Sequence, residues 1–295
     1  MSIFTGSGVA ICTPFDKAGK FNNEAYDKLI NFQISQGTDA IIACGTTGEA
    51  TTLSNDEHIE VVRQAVVSVG KRVPVIAGAG GNDTALCIEM AKAVSKAGAD
   101  AVMCVTPYYN KTSQKGLVQH FTAIAAAVDA PIMLYNVPAR TALNMLPKTV
   151  YEVSKIPNIV ATKEASGDIT QIAEVIERCG DNIAVYSGND NDVVPVLSLG
   201  GKGIVSVAAN IAPAKVHNMA KSYLSGDIET ARKLQLELLP LIRLLFADVS
   251  PMPVKAALNM MGFDVGQCRL PLVTIENSLH DKLKQEMTRC GLLGD

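Results

Sequence analysis

Several kinds of function are missing their usual marks in this chain. The formal net charge is only −3 and no lysine/arginine run occurs, so nothing in the charge balance points to nucleic acid or an acidic membrane surface. Apolar runs are short and interrupted, and none is long enough to span a bilayer. The first residues, Met1 to Gly6, show neither the basic start nor the apolar stretch of a secretory leader. Seven cysteines (Cys12, Cys44, Cys87, Cys104, Cys179, Cys268 and Cys290) are odd in number and form no CxxC pair. Several lie in apolar runs, so packed, reduced thiols and a cytoplasmic location are expected. The histidines are scattered away from the cysteines, and no metal site is expected. A nucleotide fingerprint is also missing. In Gly78-Ala79-Gly80-Gly81-Asn82-Asp83 an aspartate stands where the last glycine of GxGxxG belongs.

What is present is a compact composition, 48% hydrophobic and 19% charged. Short Val/Ile/Ala-rich runs alternate with amphipathic helical patterns about every thirty residues, the βα signature. The runs fall at residues 8–12, 40–44, 73–77, 101–105, 132–135, 159–163, 183–186 and 203–207. Between them Ser54, with Glu57 three residues on, predicts a capped helix over 54–69, and Gly98 stops another over 83–97. Eight strands with eight crossovers predict an α/β fold, a (β/α)8 TIM barrel, in preference to a doubly wound open sheet. From Pro213 onward only helical periodicity is found, including 230–245 and segments starting near Pro253 and Thr274. The predicted organisation is a barrel over 1–224 carrying the catalytic site, and a small helical C-terminal extension over 225–295.

In such a barrel the reactive groups collect at the carboxyl ends of the strands. The sixth run, Ile159-Val160-Ala161-Thr162-Lys163, ends on a lysine. Desolvation penalises an ammonium there, and a neutral amine is what must attack a carbonyl to form a Schiff base. The plainer alternative is a lysine whose stem packs while its head reaches solvent. The other strand ends carry Gly45-Thr46-Thr47-Gly48-Glu49, Tyr108-Tyr109-Asn110, Tyr135-Asn136-Val137-Pro138-Ala139-Arg140-Thr141 and Ser187-Gly188-Asn189-Asp190. Taken singly, these read as an ordinary turn, rim tyrosines and a surface cation. Together they are coherent. Thr46 and Thr47 suit a small carboxylate, a phenol beside the lysine moves protons, and the fork of Arg140 suits a second anionic substrate. Metal-free, class I aldol chemistry follows.

The motifs Gly45-Thr46-Thr47-Gly48-Glu49, Tyr108-Tyr109-Asn110-Lys111, Tyr135-Asn136-Val137-Pro138-Ala139-Arg140-Thr141 and Lys163-Glu164-Ala165, in this order and over essentially the whole chain, closely resemble the dihydrodipicolinate synthase family of the N-acetylneuraminate lyase-like class I aldolases. The resemblance implies condensation of pyruvate with L-aspartate-4-semialdehyde to 4-hydroxy-tetrahydrodipicolinate, the committed step toward diaminopimelate and lysine. It implies that Lys163 forms the imine with pyruvate and that Tyr135 is the nearest acid/base. Thr46 and Tyr109 would complete a proton relay, with Tyr109 supplied across a dimer interface. Thr47 would hold the pyruvate carboxylate, Gly188 and Val205 would line the pocket, and Arg140 would position the semialdehyde. The implied assembly is a homotetramer, a dimer of dimers, with no cofactor beyond the lysine–pyruvate imine.

The nearest rivals share fold and lysine: aldolases of 2-keto-3-deoxy sugar acids and N-acetylneuraminate lyases. Arg140, together with Thr47 after Thr46, favours the short carboxylate-bearing aldehyde. A phosphosugar isomerase would want a glutamate base and a phosphate loop, and a non-enzymatic scaffold would not need this cluster. The resemblance also implies a possible effector site for lysine at His58, Asn82, Tyr108 and position 86, with Asn55 variable. There the family's lysine-inhibited members pair a glutamate with the effector's amino group. Here the residue is Leu86, so lysine feedback is expected to be weak or absent unless neighbouring Asp83 substitutes.

Overall fold

The computed structural model describes residues 2–294. Eight parallel strands close in sequence order into a barrel, β1-β2-β3-β4-β5-β6-β7-β8, with β8 pairing back onto β1. They are β1 (Gly6–Ala10), β2 (Ala40–Ala43), β3 (Val75–Gly78), β4 (Ala101–Val105), β5 (Ile132–Asn136), β6 (Ile159–Glu164), β7 (Ala184–Ser187) and β8 (Gly203–Ser206). The seam depends on glycine: a Cβ at Gly203 would lie 1.9 Å from the Gly6 carbonyl oxygen.

The first strand starts and ends two residues before its predicted bounds. The ladder weakens once the Cys12 N–H donates to Asn210 Oδ1 (3.0 Å) instead of to a neighbouring strand. The third strand starts two residues late and runs one residue further, to Gly78.

Around the barrel run α1 (Asn23–Ser35), α2 (Asn55–Val69), α3 (Thr84–Lys96), α4 (Gln114–Ala125), α5 (Pro138–Thr141), α6 (Pro147–Val153), α7 (Ile169–Cys179), α8 (Val193–Ser198) and α9 (Pro213–Leu224). Ser54 and Glu57 form the predicted capping box at α2, and Asp83 caps α3. The extension consists of α10 (Ile228–Leu245), α11 (Met252–Met260) and α12 (Asn277–Arg289).

Strand alternation sorts side chains into two layers. Met133, Tyr135, Ala161, Tyr186 and Val205 belong to the inner cluster. Ile132, Leu134, Ile159 and Val185 join the outer layer between sheet and helices. That outer layer continues without a break into Leu238, Leu241, Leu258 and Leu283 of the extension. On the amino side, Phe4 stacks on Tyr186 with centroids 4.4 Å apart, and the Tyr186 hydroxyl donates to the Phe4 carbonyl. No described helix is long and apolar enough to cross a membrane.

Candidate active site

Lys163 is the second-to-last residue of β6, in register with Tyr135 of β5 and Tyr186 of β7. Alternation along β6 points it into the barrel with Ala161 and Ala165, and it is buried. Its Nζ lies 4.1 Å from the centroid of the Tyr135 ring. Gly188 leaves room beside it, since a Cβ there would stand 3.2 Å from Lys163 Cε and 2.7 Å from Ala165 Cβ. Val205 is buried in the same inner layer.

The neighbouring Glu164 faces the other way. Its carboxylate accepts from Asn136 Nδ2 at 3.0 and 3.1 Å and from the Ser166 N–H at 2.8 Å. Burial pushes its pKa above the ordinary carboxylate value, against these hydrogen bonds. Asn136 also donates to Asn144, which bonds Gln171 of α7. This network ties the ends of β5 and β6 together from outside, which fixes where Tyr135 and Lys163 project.

Above Tyr135 opens a cavity of about 270 Å³, lined among others by Thr46, Tyr108, Arg140 and His58. Lys163, Thr47, Gly188 and Val205 are not among its lining residues. Lys163 Nζ packs on the ring of Tyr135, which does line the cavity, and Thr47 is buried next in sequence to exposed Thr46. The turn bearing the two threonines is tight: the Gly48 N–H donates to Gly45 O at 3.1 Å and that of Glu49 to Thr46 O at 3.0 Å. Arg140, on α5, donates from Nη2 to the Ser250 carbonyl of the extension at 3.1 Å. Tyr109 is the exception. It is 93% exposed, at φ +67°, and lines neither this cavity nor its neighbour.

The predicted effector residues do come together. His58, Asn82, Leu86 and Tyr108 line a second cavity of about 200 Å³ with Asn55 and Asp83. Both cavities share His58 and Tyr108, so they adjoin. Burial holds the His58 imidazole pKa below its ordinary value, although its Nε2 lies 2.7 Å from the Gly78 carbonyl oxygen. One oxygen of the Asp83 carboxylate, Oδ1, accepts from the Ala85 and Leu86 N–H groups at 2.8 and 3.3 Å. Among the described residues no cluster of three or more His, Cys, Asp or Glu could hold a metal ion.

The sequence reading missed the groups that hold these loops. Buried Asp190 accepts from Ser206 Oγ and from the Val207 and Ala208 N–H groups, linking the ends of β7 and β8. Gln235 of α10 reaches its carbonyl at 3.0 Å. Glu49, quoted only as part of a motif, meets Lys255 and Arg269 of the extension. Nothing local in the sequence marks these contacts, which join residues far apart in the chain.

Comparison with known proteins agrees with this geometry. The profile of the dihydrodipicolinate synthetase family matches residues 3–290. The chain is 54% identical to the 4-hydroxy-tetrahydrodipicolinate synthase of Thermoanaerobacter sp., over 99% of each chain. Its fold superposes on the dihydrodipicolinate synthase of Thermotoga maritima with a TM-score of 0.97 at 40% identity, covering 99% of this chain and 100% of the other. The Cyanidioschyzon merolae enzyme, solved with lysine bound, gives a TM-score of 0.96 at 40% identity with the same coverage.

Proposed function

Since the chain belongs to the dihydrodipicolinate synthetase family, we propose that Lys163 is the residue that carries its reaction covalently. The activity is that of a lyase of the class I aldolase type: pyruvate and L-aspartate-4-semialdehyde condense to 4-hydroxy-tetrahydrodipicolinate on the way to lysine. The observation that carries the assignment of Lys163 is its burial at the carboxyl end of β6 with Nζ 4.1 Å from the ring of Tyr135, which lines the cavity.

In this reading Lys163 Nζ attacks the pyruvate carbonyl carbon and water leaves, giving the imine. Loss of a methyl proton gives the enamine, whose carbon bonds to the aldehyde carbon while the aldehyde oxygen takes up a proton. The semialdehyde's amino group then displaces the lysine and closes the ring, which regenerates the amine. The imine does the activating, so no metal or other cofactor is called for. Tyr135 is the acid/base nearest Nζ, and Thr46 at the cavity wall links it outward. Thr47 and the turn amides hold the pyruvate carboxylate. Gly188 and Val205 shape the floor, and Arg140 receives the semialdehyde carboxylate at the mouth. Tyr109, with no place in its own cavity, serves the site of a second copy. The assembly we read is a homotetramer, a dimer of dimers.

Borohydride reduction with pyruvate, followed by peptide mapping, tests the central assignment. An adduct on Lys163, lost in Lys163→Ala, is expected; an adduct elsewhere, or none on folded protein, overturns it. Tyr135→Phe should lower turnover with the semialdehyde by about 10²–10⁴-fold, whereas a loss below about tenfold leaves Tyr135 a packing role.

A further inference from the structure

The Gly45–Glu49 turn ends on a buried ion pair to which the reaction above gives no part. Lys255 Nζ lies 2.6 Å from Glu49 Oε1, and the two side chains are 2% and 1% exposed. One partner follows β2; the other belongs to α11 of the extension. The second carboxylate oxygen of Glu49 accepts the Arg269 N–H at 2.8 Å. Lys255 also donates to the Gln267 carbonyl at 3.2 Å and lies 4.2 Å from the Phe15 ring centroid. Glu49 itself sits at φ +54°, a left-handed conformation that a non-glycine residue adopts only when its surroundings impose it.

Stability alone explains this arrangement poorly. Two charges withdrawn from water recover little net free energy, and an apolar pair of similar volume often serves as well. What the pair does provide is a fixed position. Through Glu49 it pins the end of a five-residue turn that is also tied by Gly48 N–H to Gly45 O, by Glu49 N–H to Thr46 O and by Thr13 Oγ1 to Gly48 O, the last at 2.7 Å. Thr46 and Thr47 lie between these anchors. We infer that Lys255 and Glu49 are positioning residues for pyruvate: the extension, acting through this pair, holds the Thr46–Thr47 turn where a carboxylate can meet it. The inference rests on the reading of that turn as the carboxylate holder.

The test uses the full-length enzyme and compares Lys255→Met, Glu49→Leu/Lys255→Met and a distant destabilising control, Leu238→Ala. Each is assayed for thermal midpoint and for the pyruvate concentration that half-saturates borohydride trapping on Lys163. Lys255→Met strands a buried carboxylate, so both its midpoint and its pyruvate affinity should suffer. The double variant should recover the midpoint yet keep a half-saturating concentration raised by about tenfold or more, because the turn is still unpinned. Leu238→Ala should lower the midpoint and leave half-saturation unchanged. Wild-type half-saturation in the double variant would overturn the inference, as would a control whose half-saturation rises with its loss of stability. A wild-type enzyme that fails to trap pyruvate at all would overturn the Lys163 assignment and, with it, the reading this inference rests on, before any variant is made.

Discussion

Leu86 stands at the rim of the smaller cavity with 56% of its surface exposed, and it offers nothing to an ammonium group. The nearest substitute in sequence is Asp83, but its carboxylate already caps α3. Turning it toward a ligand would give up a cap worth about 1 kcal/mol. His58, kept neutral by burial, adds no negative charge. Among the residues lining this cavity the one carboxylate an effector ammonium could meet is therefore that of Asp83, whose Oδ1 is engaged in the cap. Lysine should inhibit the purified enzyme weakly or not at all, and Leu86→Glu should install sensitivity. Inhibition of the unmodified enzyme at sub-millimolar lysine would show that another group does the pairing. A single side chain of the wrong polarity was legible in the sequence here, whereas the engagement of Asp83 needed the geometry.

At the scale of an element, α2 shows how far a local signal reaches. Ser54 and Glu57 announce the helix start by spacing alone, and the capping box forms as that spacing dictates. The sequence does not announce Arg269, whose Nη2 lies 2.6 Å from Glu57 Oε1 and whose guanidinium also bonds the Gly19 and Thr52 carbonyls. Its partners lie more than two hundred positions away, so no window of sequence contains them. Arg269, aided by the Ser54 N–H, lowers the Glu57 pKa from 4.5 to about 2. The sign follows from proton binding: between these values the unfolded chain holds the proton and the folded one does not, so stability rises with pH. The Glu57 contribution is complete above about pH 4.5 and is lost as pH falls toward 2. Glu164 and Asp190 act in the opposite sense, because burial raises their pKa values and favours their neutral forms at low pH. Comparing wild type with Glu57→Gln removes that background. The difference in denaturation midpoint should shrink as pH is lowered through this range, and a difference independent of pH would mean that the carboxylate is not linked to folding.

For the molecule as a whole, the barrel was legible because every strand is buried on both faces and writes itself as an apolar run. The candidate site could be picked out because the residues proposed for it sit where those runs end. The clamp from the extension was not, since Glu49 and Lys255 carry meaning only once the chain has closed on itself. Tyr109 poses the same problem one level higher. A bulky residue at φ +67° and 93% exposed has no packing in its own protomer that would hold it there. Its neighbour Asn110 is tied down, donating from Nδ2 to the Asn82 carbonyl at 2.9 Å, so the loop is anchored while the tyrosine projects. If Tyr109 completes the site of a second copy, two inactive variants should rescue each other. In a mixed dimer of Lys163→Ala and Tyr109→Phe, one site receives both lesions and the other receives neither. Random exchange makes half the dimers mixed, so activity should return to about a quarter of wild type. If Tyr109 instead acts within its own protomer, every site keeps one lesion, and mixing restores nothing above the two variants measured apart.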